Sequence, residues 1–352
     1  MSVMNIADRT RSGSPGDSGF QHEAMLYDGE PQFVDRAARF VRDGLRGGEA
    51  VLVAVHGRRA ASLRRALGPD AERVDFLDLD TVGRNPARII PAWRDWVESR
   101  AGAGPGLRGV GESIWAARSS AEIAECQRHE QLLDTAFDDG PDWHLICAYD
   151  TSSLPSEVIE HAYRAHPFTS AGDRPRSGAE RDRRAGVRRD QAAAAVFASA
   201  LPEPSAVDHQ LEFGRDEMGG VRRGVAEQAD RFGLLGQRGE DLVLVASELA
   251  SNSVRHGGGR GTLRVWQDGA DLVCEVSDQG LITDPLVGRR RPVVTAGQGG
   301  AGLWITNQLC DLVQIRSTPQ NGTVVRVRIA LPQEPSRSEA SAQANQMSNG
   351  RA

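Results

Sequence analysis

The chain has 352 residues, with 42 Lys and Arg against 48 Asp and Glu and a formal net charge of −6. That length suggests two domains, and the mild acidity argues against direct nucleic-acid binding, which needs a concentrated basic surface. No apolar run approaches the roughly 20 residues that span a bilayer, and residues 1–19 lack a basic stretch followed by an apolar one, so the expectation is a cytoplasmic protein with no secretory signal and no membrane contact.

Residues 1–19 are polar and Gly/Ser-rich and read as a disordered N-terminus. Val51-Leu52-Val53-Ala54-Val55 is a continuous apolar run, which predicts a buried strand. Residues 58–67 carry Ala61, Leu63, Ala66 and Leu67 at helical spacing and end at Gly68-Pro69. Residues 74–79 predict a second strand, 86–98 a helix with Ile89, Ile90, Trp93, Trp96 and Val97 inward, and 107–111 a short strand. Residues 120–137 predict a long helix, 144–149 a strand and 155–165 a closing helix. Strands alternating with helices predict an α/β domain with a mostly parallel sheet covered on both faces. Ligands of such sheets bind beyond the carboxyl ends of the strands, where Glu112, Ser113, Tyr149 and Asp150 fall; loop and cap chemistry is the plainer reading of such residues. The hexapeptide from Gly104 to Gly109 fits Gly-x-Gly-x-x-Gly, but it leads from a helix into a strand, so it reads as a plain loop. His129-Glu130 is followed by Leu133 where a zinc-binding His-Glu-x-x-His would need histidine, and reads as a solvated or packed helix position. Cys126, Cys147, Cys274 and Cys310 form no close pair and read as small buried side chains.

Residues 170–195 are rich in Arg, Gly and Asp and nearly free of large apolar side chains, which predicts a solvated linker. Beyond it, residues 211–233 read as a helix in which Met218, Val221, Val225, Ala229 and Phe232 keep 3-to-4 spacing. The next helix ends in Glu248-Leu249-Ala250-Ser251-Asn252-Ser253-Val254-Arg255-His256 and stops at three glycines. Leu242, Val245, Ala246 and Leu249 form its apolar face, and Glu248, Asn252 and His256 share a second face at i, i+4 and i+8. A carboxylate and an amide one turn apart suit Mg²⁺, which takes oxygen ligands and keeps phosphates in its shell. Residues 262–266 and 272–277 alternate as strands around Asp268-Gly269, a hairpin signal. The second strand runs into Asp278-Gln279-Gly280. Gly297 to Gly302 then opens a helix over 303–309, and a glycine run at a helix start offers bare N–H groups to phosphate. Strands over 312–317 and 323–331 close the fold, joined by Asn321-Gly322, with Val325, Val327, Ile329 and Leu331 on one face and Arg326 and Arg328 on the other. Residues 333–352 are Ser/Gln/Asn-rich and read as a disordered tail.

Two resemblances organise these elements. Residues 20–169 resemble the MEDS sensory domain of bacterial regulators, through His22-Glu23-Ala24-Met25-Leu26-Tyr27, Gly48-Glu49-Ala50-Val51-Leu52-Val53, Gly111-Glu112-Ser113-Ile114-Trp115, Glu125-Cys126-Gln127-Arg128-His129-Glu130 and Cys147-Ala148-Tyr149-Asp150. This implies signal input rather than catalysis, with His22, Tyr27, Glu112, Trp115 and Tyr149 as candidate ligand contacts. Residues 196–332 resemble the GHKL ATPases, an α+β Bergerat sandwich. Glu248-x3-Asn252-x3-His256 matches the N box, Asp278-x-Gly280 the first glycine box, Gly300-x-Gly302 the second, and Gly322-Thr323 the late Thr motif. The resemblance implies ATP and Mg²⁺ as cofactors and assigns His256 to the nucleotide site with the rest of the N box. In it Asn252 coordinates Mg²⁺, Asp278 accepts from the adenine amino group with support from Thr323, and Gly280 lets the backbone approach the base. Gly300 and Gly302 cradle phosphates, 284–298 form a lid, and Glu248 acts as general base. Ile282 stands where the family often has a further glycine, which bears on lid mobility.

The terminal position of the ATPase and its Ser-Glu-Leu-Ala-x-Asn-Ser-Val-Arg-His run resemble the anti-sigma-factor branch, of the RsbA/RsbW type. That implies an ATP-dependent protein serine/threonine kinase that regulates transcription by partner switching. Its partners would be a sigma factor and a STAS-type antagonist, and it could form a homodimer. The alternatives are a nucleotide-gated binding module without kinase activity and a sensor histidine kinase. For the latter, His209 is the only histidine between the linker and residue 240, and it lies outside any long coiled-coil pattern.

Overall fold

The structure is a computed structural model that describes residues 19–102, 104–166, 168–170, 197–292 and 301–332. The expected disordered ends, nearly all of the expected linker and Gly300 lie outside the described residues.

The N-terminal region runs β1 (Phe20–Tyr27), α1 (Gly29–Gly47), β2 (Ala50–Val55), α2 (Gly57–Leu67), β3 (Asp75–Asp78), α3 (Ile89–Arg100), β4 (Leu107–Gly111), α4 (Ser120–Ala136), β5 (Trp143–Asp150), α5 (Ser156–Ala165) and β6 (Phe168–Ser170). Its six strands lie in the order β3-β2-β4-β5-β1-β6, and every pairing is parallel. The sheet is buried on both faces, as a parallel sheet requires. Period-two alternation sends Ala24 and Leu26 of β1, with Leu145, Cys147 and Tyr149 of β5, to the face covered by α3, α4 and α5. Met25, Tyr27, Ile146 and Ala148 go to the other face, against Phe33, Val41 and Leu63 of α1 and α2. The sequence reading drew neither β1 nor α1. In β1 the polar residues Gln21, His22 and Glu23 hide the apolar pattern, although His22 is only 1 % exposed. A capping box, Ser119 with Glu122, starts α4.

The C-terminal region runs β7 (His209–Gly214), α6 (Met218–Arg231), α7 (Gln237–His256), β8 (Arg260–Asp268), β9 (Asp271–Asp278), α8 (Gly302–Leu309), β10 (Leu312–Thr318) and β11 (Gly322–Ala330). Its strands order as β10-β11-β9-β8-β7, all antiparallel. The helices bury Val221, Val225, Leu242, Val245, Ala246 and Leu249 against Leu263, Val265, Cys274, Val276, Val327 and Ile329. The predicted helix over 211–233 is corrected here, since its first residues form the edge strand β7. Leu211 pairs with Leu263, and Phe213 with Gly261, where a Cβ would stand 2.7 Å from the Phe213 ring. Sheet pairing thus overrides the helical spacing, and α6 starts only at Met218. His209 lies on β7 with its ring against Gly224 of α6.

The two regions pack together. Leu286 and Phe197 join the N-terminal core, with Ile282, Val287 and Ile315 against it. Arg316 Nη2 of β10 donates to Glu125 Oε1 of α4 at 2.8 Å, with both side chains buried. Asn85 Nδ2, at the start of the short turn Pro86–Arg88, and Arg88 Nε, at its end, donate to the Asn307 carbonyl at 3.0 and 2.7 Å, and Arg88 Nη2 reaches the Cys310 carbonyl at 2.8 Å. The Arg88 cation sits where the carbonyls of α8 end, the negative pole of the helix. No helix among the described residues is long and apolar enough to cross a membrane.

Candidate functional site

The final turns of α7 lie beside the first residue of α8. Leu242, Val245, Ala246, Leu249 and Ser253 face the sheet, which leaves Glu248 and Asn252 half-buried on the flank and His256 exposed at the end. A Cβ on Gly302 would stand 2.8 Å from Glu248 Oε2 and 3.3 Å from Asn252 Nδ2. Glycine at this position lets the start of α8 approach these two polar groups closely without displacing the Glu248 carboxylate. Gly302 is therefore placed with Glu248 and Asn252; the His256 side chain is exposed, and its carbonyl lies beside Gly280.

Asp278 ends β9 and is held on both carboxylate oxygens. Ser253 Oγ donates to Oδ2 at 2.5 Å, and the Gly280 N–H donates to Oδ1 at 2.7 Å. Glycines surround it. A Cβ at Gly257 would fall 2.3 Å from Asp278 Cγ, and one at Gly280 would fall 2.8 Å from the His256 carbonyl and 2.9 Å from Asp278 Oδ1. Thr323 pairs with Asp278 across β11 and β9, but its hydroxyl donates to the Gly280 carbonyl at 2.9 Å. Ser317 Oγ lies 2.7 Å from Thr323 Oγ1 and accepts from the Ile282 N–H at 2.8 Å. The result is a relay from Ile282 through two hydroxyls to Gly280, in which each bond polarises the next. Ile282, which departs from the family pattern, contributes here by its backbone. Ser253 and Ser317 were missed by the sequence reading. Ser253 could have been found, because it continues the stripe of Leu242, Val245, Ala246 and Leu249 as its only polar member.

The segment after β9 is described as far as residue 292. Arg289 is buried and its Nη1 donates to the Pro86 carbonyl at 3.3 Å; burial pushes its pKa down to about 10. Arg291 pairs with Asp95 at 2.6 Å. Asn307 Nδ2 donates to the Gly288 carbonyl at 2.8 Å, so Asn307 ties the segment to α8 while its own carbonyl is held by Asn85 and Arg88.

The five candidate sensory residues do not form one site. Tyr27, at the end of β1, donates its hydroxyl to Glu112, just past β4. Arg59 Nη2 reaches Tyr27 Oη at 3.2 Å and Asp150 Oδ2 at 3.0 Å, and His56 Nε2 lies 3.6 Å from Glu112 Oε2. Trp115 is close by, its ring 5.7 Å from that of His56. Burial pushes the Glu112 carboxyl up to about 7 and holds His56 below its ordinary value. Burial, and then the charge of Glu112, push the Tyr27 phenol far up. His22 and Tyr149 lie on the other face of the sheet, where Tyr149 stands edge-on to His166 at 5.6 Å. All four cysteines are buried and free.

No curated protein matches the chain. Residues 214–329 match the family described as the histidine kinase-like ATPase domain. Residues 21–167 match the family described as MEDS, the MEthanogen/methylotroph, DcmR Sensory domain. The chain thus joins an N-terminal MEDS sensory domain to a C-terminal histidine kinase-like ATPase domain.

Proposed function

We propose that the chain is an anti-sigma regulator whose C-terminal domain, a Bergerat-type nucleotide site, phosphorylates a serine on a STAS-type antagonist under control of the MEDS domain. The observation that carries the reading is the apposition of Glu248 and Asn252 to Gly302, with Asp278 held by Ser253, the next residue of the same helix, and by the Gly280 N–H.

The residues fit ATP and Mg²⁺. The Gly302 cradle is bare where phosphates would need backbone N–H groups, and Asp278 presents an acceptor that suits an exocyclic amine. Bound Mg-ATP supplies the transferable phosphoryl group and neutralises its charge. Asn252 holds the metal, Asp278 and Thr323 fix the adenine end, and Gly302 admits the phosphates. Glu248 takes the proton of the attacking serine hydroxyl. Phosphoryl transfer needs mainly positioning and charge stabilisation, so this small set suffices. The sensory role draws on the interface, because the MEDS domain grips α8 and the segment from Gly288 to Arg291 through Asn85, Arg88, Pro86 and Asp95. A signal that shifts those contacts acts directly on the nucleotide site.

The test is transfer from γ-labelled Mg-ATP into lysate of the host, with Asn252→Ala as control. Acid-stable label on a small protein, absent with the variant, supports a serine kinase. Acid-labile label on the chain itself would instead indicate a histidine kinase. The same interface also supports a nucleotide-gated binder without kinase activity. Under that reading Glu248→Ala leaves sigma-factor capture and its nucleotide dependence intact, and no label moves.

A further inference from the structure

On the face of the N-terminal sheet opposite Tyr27 and Glu112, four side chains converge that the phosphotransfer reading does not use. His22 comes from β1, Glu130 from α4, Cys147 from β5 and His166 from the residue after α5. Their exposures are 1, 2, 4 and 4 %. One ligand-type atom from each lies within 4.8 Å of all the others. His22 Nε2 is 3.3 Å from Glu130 Oε2 and 3.3 Å from Cys147 Sγ, and His166 Nε2 is 3.4 Å from Glu130 Oε2. A tetrahedral zinc shell, with bonds of about 2.0–2.3 Å, has edges of roughly 3.3–3.7 Å. The three contacts at 3.3–3.4 Å have that spacing, and the remaining pairs, within 4.8 Å, need only a small inward shift to close the shell.

The outer nitrogens of both imidazoles fix where the inner lone pairs point. His166 Nδ1 lies 2.9 Å from the Ala162 carbonyl, which can only accept, so this nitrogen carries the proton and Nε2 the lone pair. That lone pair faces the Glu130 carboxylate, another acceptor, and Nε2 has no hydrogen-bond partner. His22 Nδ1 lies 3.5 Å from Asp134 Oδ1, and its Nε2 faces Glu130 and Cys147. An acceptor pointing at an acceptor in a buried space is relieved by a cation between them. Protonating both rings is a poor remedy, because their centroids are 4.1 Å apart and two like charges would meet.

We propose that His22, Glu130, Cys147 and His166 bind one Zn²⁺, with Asp134 and the Ala162 carbonyl orienting the two imidazoles from behind. Binding releases the Cys147 thiol proton to solvent. One dication with a carboxylate, a thiolate and two neutral imidazoles is electrically neutral, which suits so buried a place. Carboxylate or carbonyl partners behind ligating histidines are the usual support for such a site. Four protein ligands leave no open position, so the metal is structural or regulatory rather than catalytic. It would tie together β1, β5, the end of α5 and α4, the helix whose Glu125 reaches Arg316 of the ATPase domain.

The test uses the full chain, without a histidine tag, purified without chelator and assayed for metal by mass spectrometry. About one equivalent of zinc is expected. Exchange for Co²⁺ should give tetrahedral ligand-field bands and a thiolate charge-transfer band that Cys147→Ser abolishes. Asp134→Asn keeps all four ligands and should weaken zinc binding by about 10–100-fold, as measured with a competing chelator. A folded chain, judged by circular dichroism, that takes up neither Zn²⁺ nor Co²⁺ would overturn the proposal. So would unchanged uptake by a folded Cys147→Ser/His166→Ala chain. None of these readouts depends on phosphotransfer.

Discussion

The two halves of the molecule hold their polar chemistry in opposite ways. In the N-terminal half, polar side chains are sealed inside a parallel sheet and meet groups from distant parts of the chain. His22 meets Glu130 and Cys147, and Tyr27 meets Glu112 and Arg59. In the C-terminal half, Glu248 and Asn252 stay on a half-exposed flank, and space is made by missing side chains, at Gly302 beside these two and at Gly257, Gly280 and Gly322 around Asp278. A closed arrangement suits a centre that reports through packing. An open one suits a ligand that comes and goes.

If that contrast is right, glycines should matter differently in the two sheets. Gly322 has φ +69°, and a Cβ there would stand 2.0 Å from the Asp278 carbonyl oxygen. Both the backbone strain and the backbone clash are unavoidable, so Gly322→Val should cost roughly 3–4 kcal/mol. Gly109 of β4 is also crowded, but by the side chains of Leu145, Trp143 and Trp93 at 2.9–3.0 Å. Side chains can shift, so Gly109→Ala should cost less, about 1–3 kcal/mol. Urea unfolding followed by circular dichroism measures both, and a larger loss at Gly109 would reverse the comparison.

A sealed carboxyl should also show itself in pH dependence. Glu112, facing Tyr27, Arg59, Asp150 and His56, is raised from an ordinary carboxyl to about 7, chiefly by burial. The folded state therefore binds its proton more tightly than the unfolded chain. The stability it contributes is full below the unfolded value and is lost as pH rises through about 7. The loss is on the order of 3 kcal/mol. Glu112→Gln should remove this slope, so that between about pH 5 and about pH 8 the variant loses less stability than the parent. Parallel pH curves for the two proteins would show that Glu112 titrates normally.

The same contrast explains which parts could be read in the sequence. Glu248 and Asn252 are four residues apart on one helix, and Asp278 closes an alternating strand, so their placement is local and legible. The N-terminal centre has no such signature, because residues 22, 130, 147 and 166 meet only once β1, β5 and two helices are assembled. His129-Glu130 accordingly read as a plain helix position. Glu112 follows from the rule that sites lie beyond strand ends, whereas Tyr27, on a strand the sequence does not reveal, is reached only through the MEDS resemblance. Tyr149 is one residue short of its strand's end, and period-two alternation turns it to the opposite face from Asp150. Nothing local signals Asn85, Arg88 or Arg316, whose partners lie in the other domain.

Between the two halves, the buried pair of Arg316 and Glu125 tests whether they act together. Removing one partner of a buried pair costs roughly 3–5 kcal/mol. Here Arg128 Nη1 still reaches Glu125 at 3.2 Å, so Arg316→Ala should cost about 2 kcal/mol. A double-mutant cycle with Glu125→Gln, read by thermal unfolding, should give a coupling above about 0.5 kcal/mol. Additive losses would mean that the domains merely touch at this point.

The smallest expected effect is the most local. Ser253 Oγ and the Gly280 N–H each hold one oxygen of Asp278, which fixes the carboxylate in a single orientation. Ser253→Ala frees one oxygen without disturbing the stripe that packs α7 on the sheet, because alanine fits the same buried place. The loss should be about 1 kcal/mol of nucleotide affinity, or roughly fivefold in Kd, with unfolding almost unchanged. Titration with ADP and with a non-hydrolysable ATP analogue then locates Asp278 along the nucleotide. A carboxylate that receives the adenine amino group serves both ligands alike, so both affinities should fall by the same factor. A loss confined to the triphosphate would place Asp278 at the phosphate end and remove the basis for assigning Gly302 to the phosphates.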